Sequence, residues 1–353
     1  MLEVRGQPVN DEIPEGCVLL HIGPHKTGTS SVQSALNRAA PRLRAQNVEY
    51  LAAGVQRTAN RAARALQGLP YTGPRESPPI PIKVWDDLVV RAHTSDARRV
   101  VLSGEEFSAL TPKMIEKIAK QFLPKQLHVA ITLRSLDQVL SSQWQTDVRS
   151  AWTHVGLPAW LSNVLQDHRS QRRFGPLLYR DKIWYRHRHD HLVARWSAAL
   201  DPANVHVVVV RDGQPSALID SFERLLSLHR GTLHHRNGIK NQSLDADRIE
   251  VTRRLVYRLH NSIDGQRLLA TSKNLSLVNV VNETIGNLET PYALTMPRDA
   301  FSDLFRLANK IVETVAEIPH VIGHVEDLLP REERFSTEPQ RYVFDDGLLV
   351  EYA

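Results

Sequence analysis

Val18-Leu19-Leu20-His21-Ile22-Gly23-Pro24-His25-Lys26-Thr27-Gly28-Thr29-Ser30-Ser31 is the stretch on which the reading of this chain turns. It opens as a short apolar run, which suits a buried strand. It then passes through a glycine-containing turn into Ser31–Ala39, where Val32, Ala35 and Leu36 share one helical face. A strand, a tight turn and a helix N-terminus make an anion site, because backbone N–H groups converge there and the helix dipole adds positive potential. Gly23 and Gly28 have the G-x-x-x-x-G spacing of a phosphate-binding loop. A Walker A loop continues with Lys and then Ser or Thr. Here Thr29 follows Gly28, and the lysine, Lys26, lies inside the loop. A Walker lysine reaches β- and γ-phosphates beside magnesium. A lysine within the loop instead sits over the first phosphate and whatever leaves from it, which suits a donor with one 5′-phosphate. The plain alternative is a strand–turn–helix junction that binds nothing.

Outward from the loop, further short apolar runs read as buried strands: a weak one at Val48–Ala52, then Arg99–Ser103, Leu127–Leu133 and Val205–Val210, besides Cys17–Gly23 itself. Helical patterns at Met114–Phe122 and Leu136–Trp144 separate them. The alternation predicts an α/β fold of three layers, a parallel five-stranded sheet with helices on both faces. Gly68–Pro81, rich in proline and glycine, reads as a surface loop. The chain is expected to form a single domain over 1–353. Its core covers about 17–260, with a basic insertion at 150–191, a helical C-terminal part at 241–330 and a polar, irregular tail at 331–353.

The 353 residues are 42% hydrophobic and 24% charged, so a normal core needs no disulfide or metal staple. The single cysteine, Cys17, excludes an internal disulfide framework and fits a reducing compartment. Met1–Gly16 is polar and lacks the apolar centre of a signal peptide, and no apolar stretch reaches the roughly 20 residues of a membrane span. A cytoplasmic protein is expected. The net charge of +5 suits nucleic acid, an anionic membrane or a polyanionic small molecule alike. No nucleic-acid-binding motif is present to favour the first.

The loop residues resemble the PAPS-dependent sulfotransferases, specifically a bacterial branch with the pattern H-x-G-x-H-K-T-G-T-S/T. PAPS is 3′-phosphoadenosine-5′-phosphosulfate. The resemblance implies a P-loop-like fold in which Lys26, Thr27, Gly28, Thr29 and Ser30 bind the 5′-phosphosulfate, Lys26 also assists transfer, and Gly23, Pro24 and His25 complete the loop. It implies further that the loop strand is central, with the strands leading to Glu105 and Arg134 on either side. Such enzymes carry an Arg at a strand end and a Ser eight residues later on the donor's 3′-phosphate. Arg134 and Ser142 have that spacing, with Ser141 a rival for the hydroxyl. Arg236-Asn237-Gly238 is similar to an R-K-G element on the same phosphate, but lacks its lysine. Ser31 stands where related enzymes place the aromatic that stacks on adenine. Leu192-Val193-Ala194-Arg195-Trp196 and Asn241-Gln242-Ser243-Leu244 resemble later elements of the family, extending the likeness over about 17–260.

The third strand ends in Ser103-Gly104-Glu105-Glu106. Ligands bind at the carboxyl ends of strands in open parallel sheets, so either carboxylate can face the loop and accept the acceptor's proton. The family's S-x-E pattern favours Glu105, while His25, within the loop, and Glu106 stand as alternative bases. His187, His189 and His191 would share a face on a strand and there suggest a metal. Interleaved with Arg186, Arg188 and Asp190, they read better as a solvated basic stretch. No metal is expected. The expected activity is transfer of a sulfuryl group from PAPS to a hydroxyl or amine, with a carbohydrate or glycolipid preferred as acceptor and PAP, the 3′,5′-diphosphate, as product. The rivals are a P-loop small-molecule kinase and a non-catalytic nucleotide-binding protein of sulfotransferase descent.

Overall fold

The structure, a computed structural model, describes residues 11–51, 58–70, 78–169, 179–234, 244–271, 277–285, 288 and 291–343. From the N-terminus come β1 (Cys17–Ile22), α1 (Thr29–Arg38), α2 (Ala40–Ala45), β2 (Val48–Tyr50), α3 (Thr58–Leu66) and α4 (Lys83–Thr94). Next are β3 (Arg99–Ser103), α5 (Pro112–Gln121), β4 (Leu127–Leu133), α6 (Leu136–Arg149) and α7 (Leu157–Arg169). They lead to α8 (Tyr179–His187), α9 (His189–Ala199), β5 (Val205–Val209) and α10 (Pro215–Leu225). The remainder comprises α11 (Ala246–His260), α12 (Ile263–Thr271), α13 (Leu277–Ile285), β6 (Met296–Pro297), α14 (Phe301–Ala316), β7 (His320–Ile322) and β8 (Phe335–Ser336). Contacts divide the chain into two units, one of residues 1–135, 182–237 and 308–329, the other of 136–181, 238–307 and 330–353.

The first unit holds a six-stranded parallel sheet in the order β2-β3-β1-β4-β5-β7. The expected five strands are all present, and β7 corrects the count. Its three residues, His320-Val321-Ile322, pair with β5 at His206, Val207 and Val208. A strand so short and led by a histidine lacks the apolar run that marks a buried strand in sequence. On one face of the sheet Leu19, Val101, Ala130, Val208 and Ile322 pack with Val32 and Leu36 of α1, Leu43 of α2 and Ile219 and Phe222 of α10. The alternate residues Val18, Leu20, Val100, Leu102, Val129, Ile131 and Val207 are buried too. The sheet is therefore covered on both faces, which is why its strands read as continuous apolar runs.

The three strands β4, β5 and β7 also carry a row of histidines. Nδ1 of His128 lies 3.1 Å from Nε2 of His206, and the His206 and His320 rings stack with centroids 4.8 Å apart. Burial first, and then the neighbouring rings, push the His206 imidazole down to about 3 and that of His128 to about 4.

In the second unit α11 packs against α6, α12 and α13, with Val251 and Val281 in a small apolar cluster. The expected irregular tail at 331–353 is corrected in part: β8 pairs in parallel with β6, and the Gln340 side chain accepts from the Thr295 amide at 2.8 Å. The described part of the basic insertion at 150–191 contains α7, α8 and the start of α9. His187 and His189 are buried and only His191 is exposed, so the reading of these histidines as a solvated stretch fails for the first two. The proline- and glycine-rich loop expected at Gly68–Pro81 lies partly outside the described residues. No helix among the described residues is long and apolar enough to cross a membrane.

Candidate active site

The loop leaves β1 at Ile22 and enters α1 at Thr29. Two of its residues adopt left-handed backbone angles, Lys26 at φ 75° and Gly28 at φ 91°. For lysine that conformation is strained, and with Gly28 it turns the chain sharply into α1, where the Ser31 and Val32 amides donate back to the Gly28 carbonyl. A Cβ on Gly28 would also meet Leu218 at 2.6 Å. A Cβ on Gly23 would collide with the hydroxyls of Thr132, Thr27 and Thr29, so only glycine lets these side chains gather beneath the loop. The Thr29 hydroxyl is buried with no hydrogen-bond partner. Buried polar groups are normally satisfied, so this hydroxyl stands out beside the turn as one able to take a further hydrogen bond. Pro24 is buried and Ser30 is exposed on the first turn of the helix.

Beneath the loop runs a polar network that the sequence reading missed. His21 Nδ1 lies 2.8 Å from the Ser103 hydroxyl, and its Nε2 lies 3.3 Å from the Thr132 hydroxyl. Thr132 is 3.1 Å from the Thr27 hydroxyl, which donates to the Pro24 carbonyl at 2.8 Å. Burial holds the His21 imidazole down to about 3, so it is neutral and can donate from one nitrogen and accept at the other. Strand register explains the meeting, because His21 of β1 stands opposite Ser103 of β3 and Ala130 of β4. Gln33 of α1 adds a bond to the Ser103 carbonyl at 3.2 Å. The loop is thus fastened to the three central strands.

Because β1 lies between β3 and β4, the strand ends that carry Glu105 and Arg134 emerge on either side of the loop. Glu105 opens a 3-10 turn, Glu105–Ala109, and its carboxylate lies 3.4 Å from His25 Nδ1. Burial raises the Glu105 carboxyl, but His25, Arg186 and Lys26 together outweigh it and bring it down to about 2. Arg186, in the last turn of α8, donates through Nη1 to His25 Nε2. Its Nη2 donates to Glu106 at 3.1 Å, and Arg64 reaches the same carboxylate at 3.4 Å. These partners assign the tautomer of His25: Nδ1 carries the proton toward Glu105, and Nε2 offers its lone pair. Glu106 is therefore committed to two guanidinium groups, while Glu105 and His25 face the loop as a pair.

The chain matches no protein-family model and no curated protein. Arg134 follows directly after β4, and its guanidinium lies 3.7 Å from Asp212. Ser142 and Ser141 are half-buried on α6, which belongs to the second unit, whereas Arg134 belongs to the first. Arg236 lies outside the described residues, as does Asn241-Gln242-Ser243. Among the described residues no group of His, Cys, Asp or Glu is disposed to hold a metal ion. His187 and His189 have ring centroids 6.2 Å apart and do not converge with His191, which is exposed.

Proposed function

We propose that the protein is a PAPS-dependent sulfotransferase of P-loop-like architecture. The observation that carries this reading is the loop itself: a lysine within the turn at φ 75°, an unpartnered buried threonine hydroxyl and a histidine–carboxylate pair at its edge. The loop amides and the Thr29 hydroxyl take the 5′-phosphate of the donor, and the Lys26 ammonium neutralises the phosphate oxygen that leaves. Arg134, 3.7 Å from Asp212, turns from it to the 3′-phosphate. A kinase reading is disfavoured because the residue after Gly28 is Thr29 and not the lysine that would reach a γ-phosphate.

The same geometry divides the proton chemistry. A carboxylate held near 2 is a weak proton acceptor, but it is well suited to orient an imidazole. His25 Nε2 then takes the proton of the acceptor hydroxyl or amine, and Glu105 holds the imidazolium that forms. The acceptor atom bonds to sulfur as the sulfur–oxygen bond to the 5′-phosphate breaks, and the electron pair departs on the phosphate. Positioning and electrostatics supply most of the rate. A carbohydrate or glycolipid acceptor is the favoured class, and the buried Cys17 thiol suits a cytoplasmic protein.

The test is release of PAP from PAPS in the presence of a panel of sugar, phenol and amine acceptors. Acceptor-dependent release that falls about 100-fold or more in His25→Ala, with PAP binding retained, is expected. Nucleotide binding without acceptor-dependent release from any of them would favour the non-catalytic reading.

A further inference from the structure

Arg186 is the residue of the site that no loop motif contains, and it occupies an unusual position. Its guanidinium bridges two groups with different tasks, His25 Nε2 and the Glu106 carboxylate at 3.1 Å. It is mostly buried, with 19% of its side chain exposed. A second guanidinium, that of Arg64, lies 3.4 Å from the same carboxylate, so Glu106 keeps a cationic partner when Arg186 moves. His25 has no such substitute: while Arg186 donates to Nε2, the lone pair that should take the acceptor's proton is occupied. Catalysis by His25 requires Arg186 to turn away from it toward another anionic group within its short reach.

We propose that this group is the transferring sulfonate of the donor, so that Arg186 is a catalytic residue that binds the equatorial sulfonate oxygens and frees His25 in the same movement. The inference rests on the sulfotransferase reading given above. The guanidinium fork matches a planar set of oxygens carrying partial negative charge. Glu106, anchored by Arg64, limits how far the fork can swing. Transfer then balances as follows: the acceptor atom bonds to sulfur, its proton passes to the exposed Nε2, and the bridging oxygen leaves on the 5′-phosphate beside Lys26. Arg186 neither gains nor loses a proton. The arrangement also accounts for a base that stays masked until the donor is in place, which protects the site against misdirected proton transfer.

The distinguishing probe is the sulfonate itself, present in PAPS and absent from PAP. Affinities of both are measured by calorimetry without acceptor, on the wild type, Arg186→Ala and Arg186→Lys, with thermal melts to check folding. Arg186→Ala is expected to weaken PAPS binding about 10- to 100-fold, the worth of a charge-assisted hydrogen bond, while PAP affinity changes less than about threefold. Arg186→Lys, which keeps the charge and folds with the least disturbance, should recover part of the PAPS loss. If both nucleotides weaken equally, or neither weakens, the sulfonate contact is wrong and Arg186 serves only the resting geometry of His25 and Glu106. A wild-type protein that binds neither nucleotide overturns the sulfotransferase reading itself, which is a different result from unaltered PAPS binding in the variants.

Discussion

Replacing Glu105 with glutamine tests the electrostatics of the site through stability, independently of any substrate. The carboxyl is carried from an ordinary 4.5 to about 2, because His25, Arg186 and Lys26 overcome the opposing effect of burial. At about 1.36 kcal/mol per pKa unit, that gap corresponds to about 3 kcal/mol favouring the folded state when the group is ionised. The sign follows from proton counts. The folded carboxylate resists protonation, so the stabilisation is complete above 4.5 and is lost as pH falls toward 2. At pH 3 the folded group is still largely ionised while the unfolded one is not, and about 1.4 kcal/mol remains. Glutamine keeps the shape and removes the charge. Urea unfolding should therefore show Glu105→Gln less stable than the wild type by about 3 kcal/mol at pH 7, with the difference shrinking to about half by pH 3. A difference that stays constant across this range would refute the claim that ionised Glu105 is held by His25, Arg186 and Lys26.

Other substitutions separate the roles of neighbouring groups. Thr29→Val removes a buried hydroxyl that has no partner, so thermal stability should hold within about 0.5 kcal/mol while PAP affinity falls about tenfold, measured by melts and calorimetry. Thr27→Val removes a hydroxyl bonded to Pro24 and Thr132 and should cost about 1–3 kcal/mol of stability in urea. Gly23→Ala places a methyl among three threonine hydroxyls; about 1–3 kcal/mol of destabilisation and loss of PAP binding are expected. The histidine row gives a pH dependence away from the site. His206, held down to about 3, resists a proton that the unfolded chain accepts near 6.5. Stability should fall below pH 6.5 by up to about 1.4 kcal/mol per pH unit for that group, and His206→Phe should flatten the fall.

The features legible in the sequence are those written in contiguous residues. The strand, the turn and the start of α1 occupy one short segment, and apolar runs bounded by polar residues located β3, β4 and β5 because a doubly covered sheet needs unbroken apolar strands. β7 escaped because its register with β5, not its composition, makes it a strand. The site behaved likewise. Glu105 and His25 were candidates from separate motifs, and the fold places them 3.4 Å apart. The fastening of the loop through His21, Ser103 and Thr132 joins residues 82 and 111 positions apart, and no local pattern encodes such a pairing. A histidine inside an apolar strand reads as an interruption until its neighbours' hydroxyls are known. Arg186 was hidden for a related reason. Its surroundings are rich in arginine and histidine, so composition suggested a charged surface, whereas the fold of α8 and α9 buries His187 and His189 and brings this arginine to the loop.

Calorimetric titration of the wild type and Lys26→Ala with PAP, and with ATP and magnesium, addresses the donor directly. The account predicts tight binding of PAP, weak binding of ATP with magnesium, and loss of PAP binding in Lys26→Ala. Preference for ATP with magnesium, or PAP binding indifferent to Lys26, would contradict it.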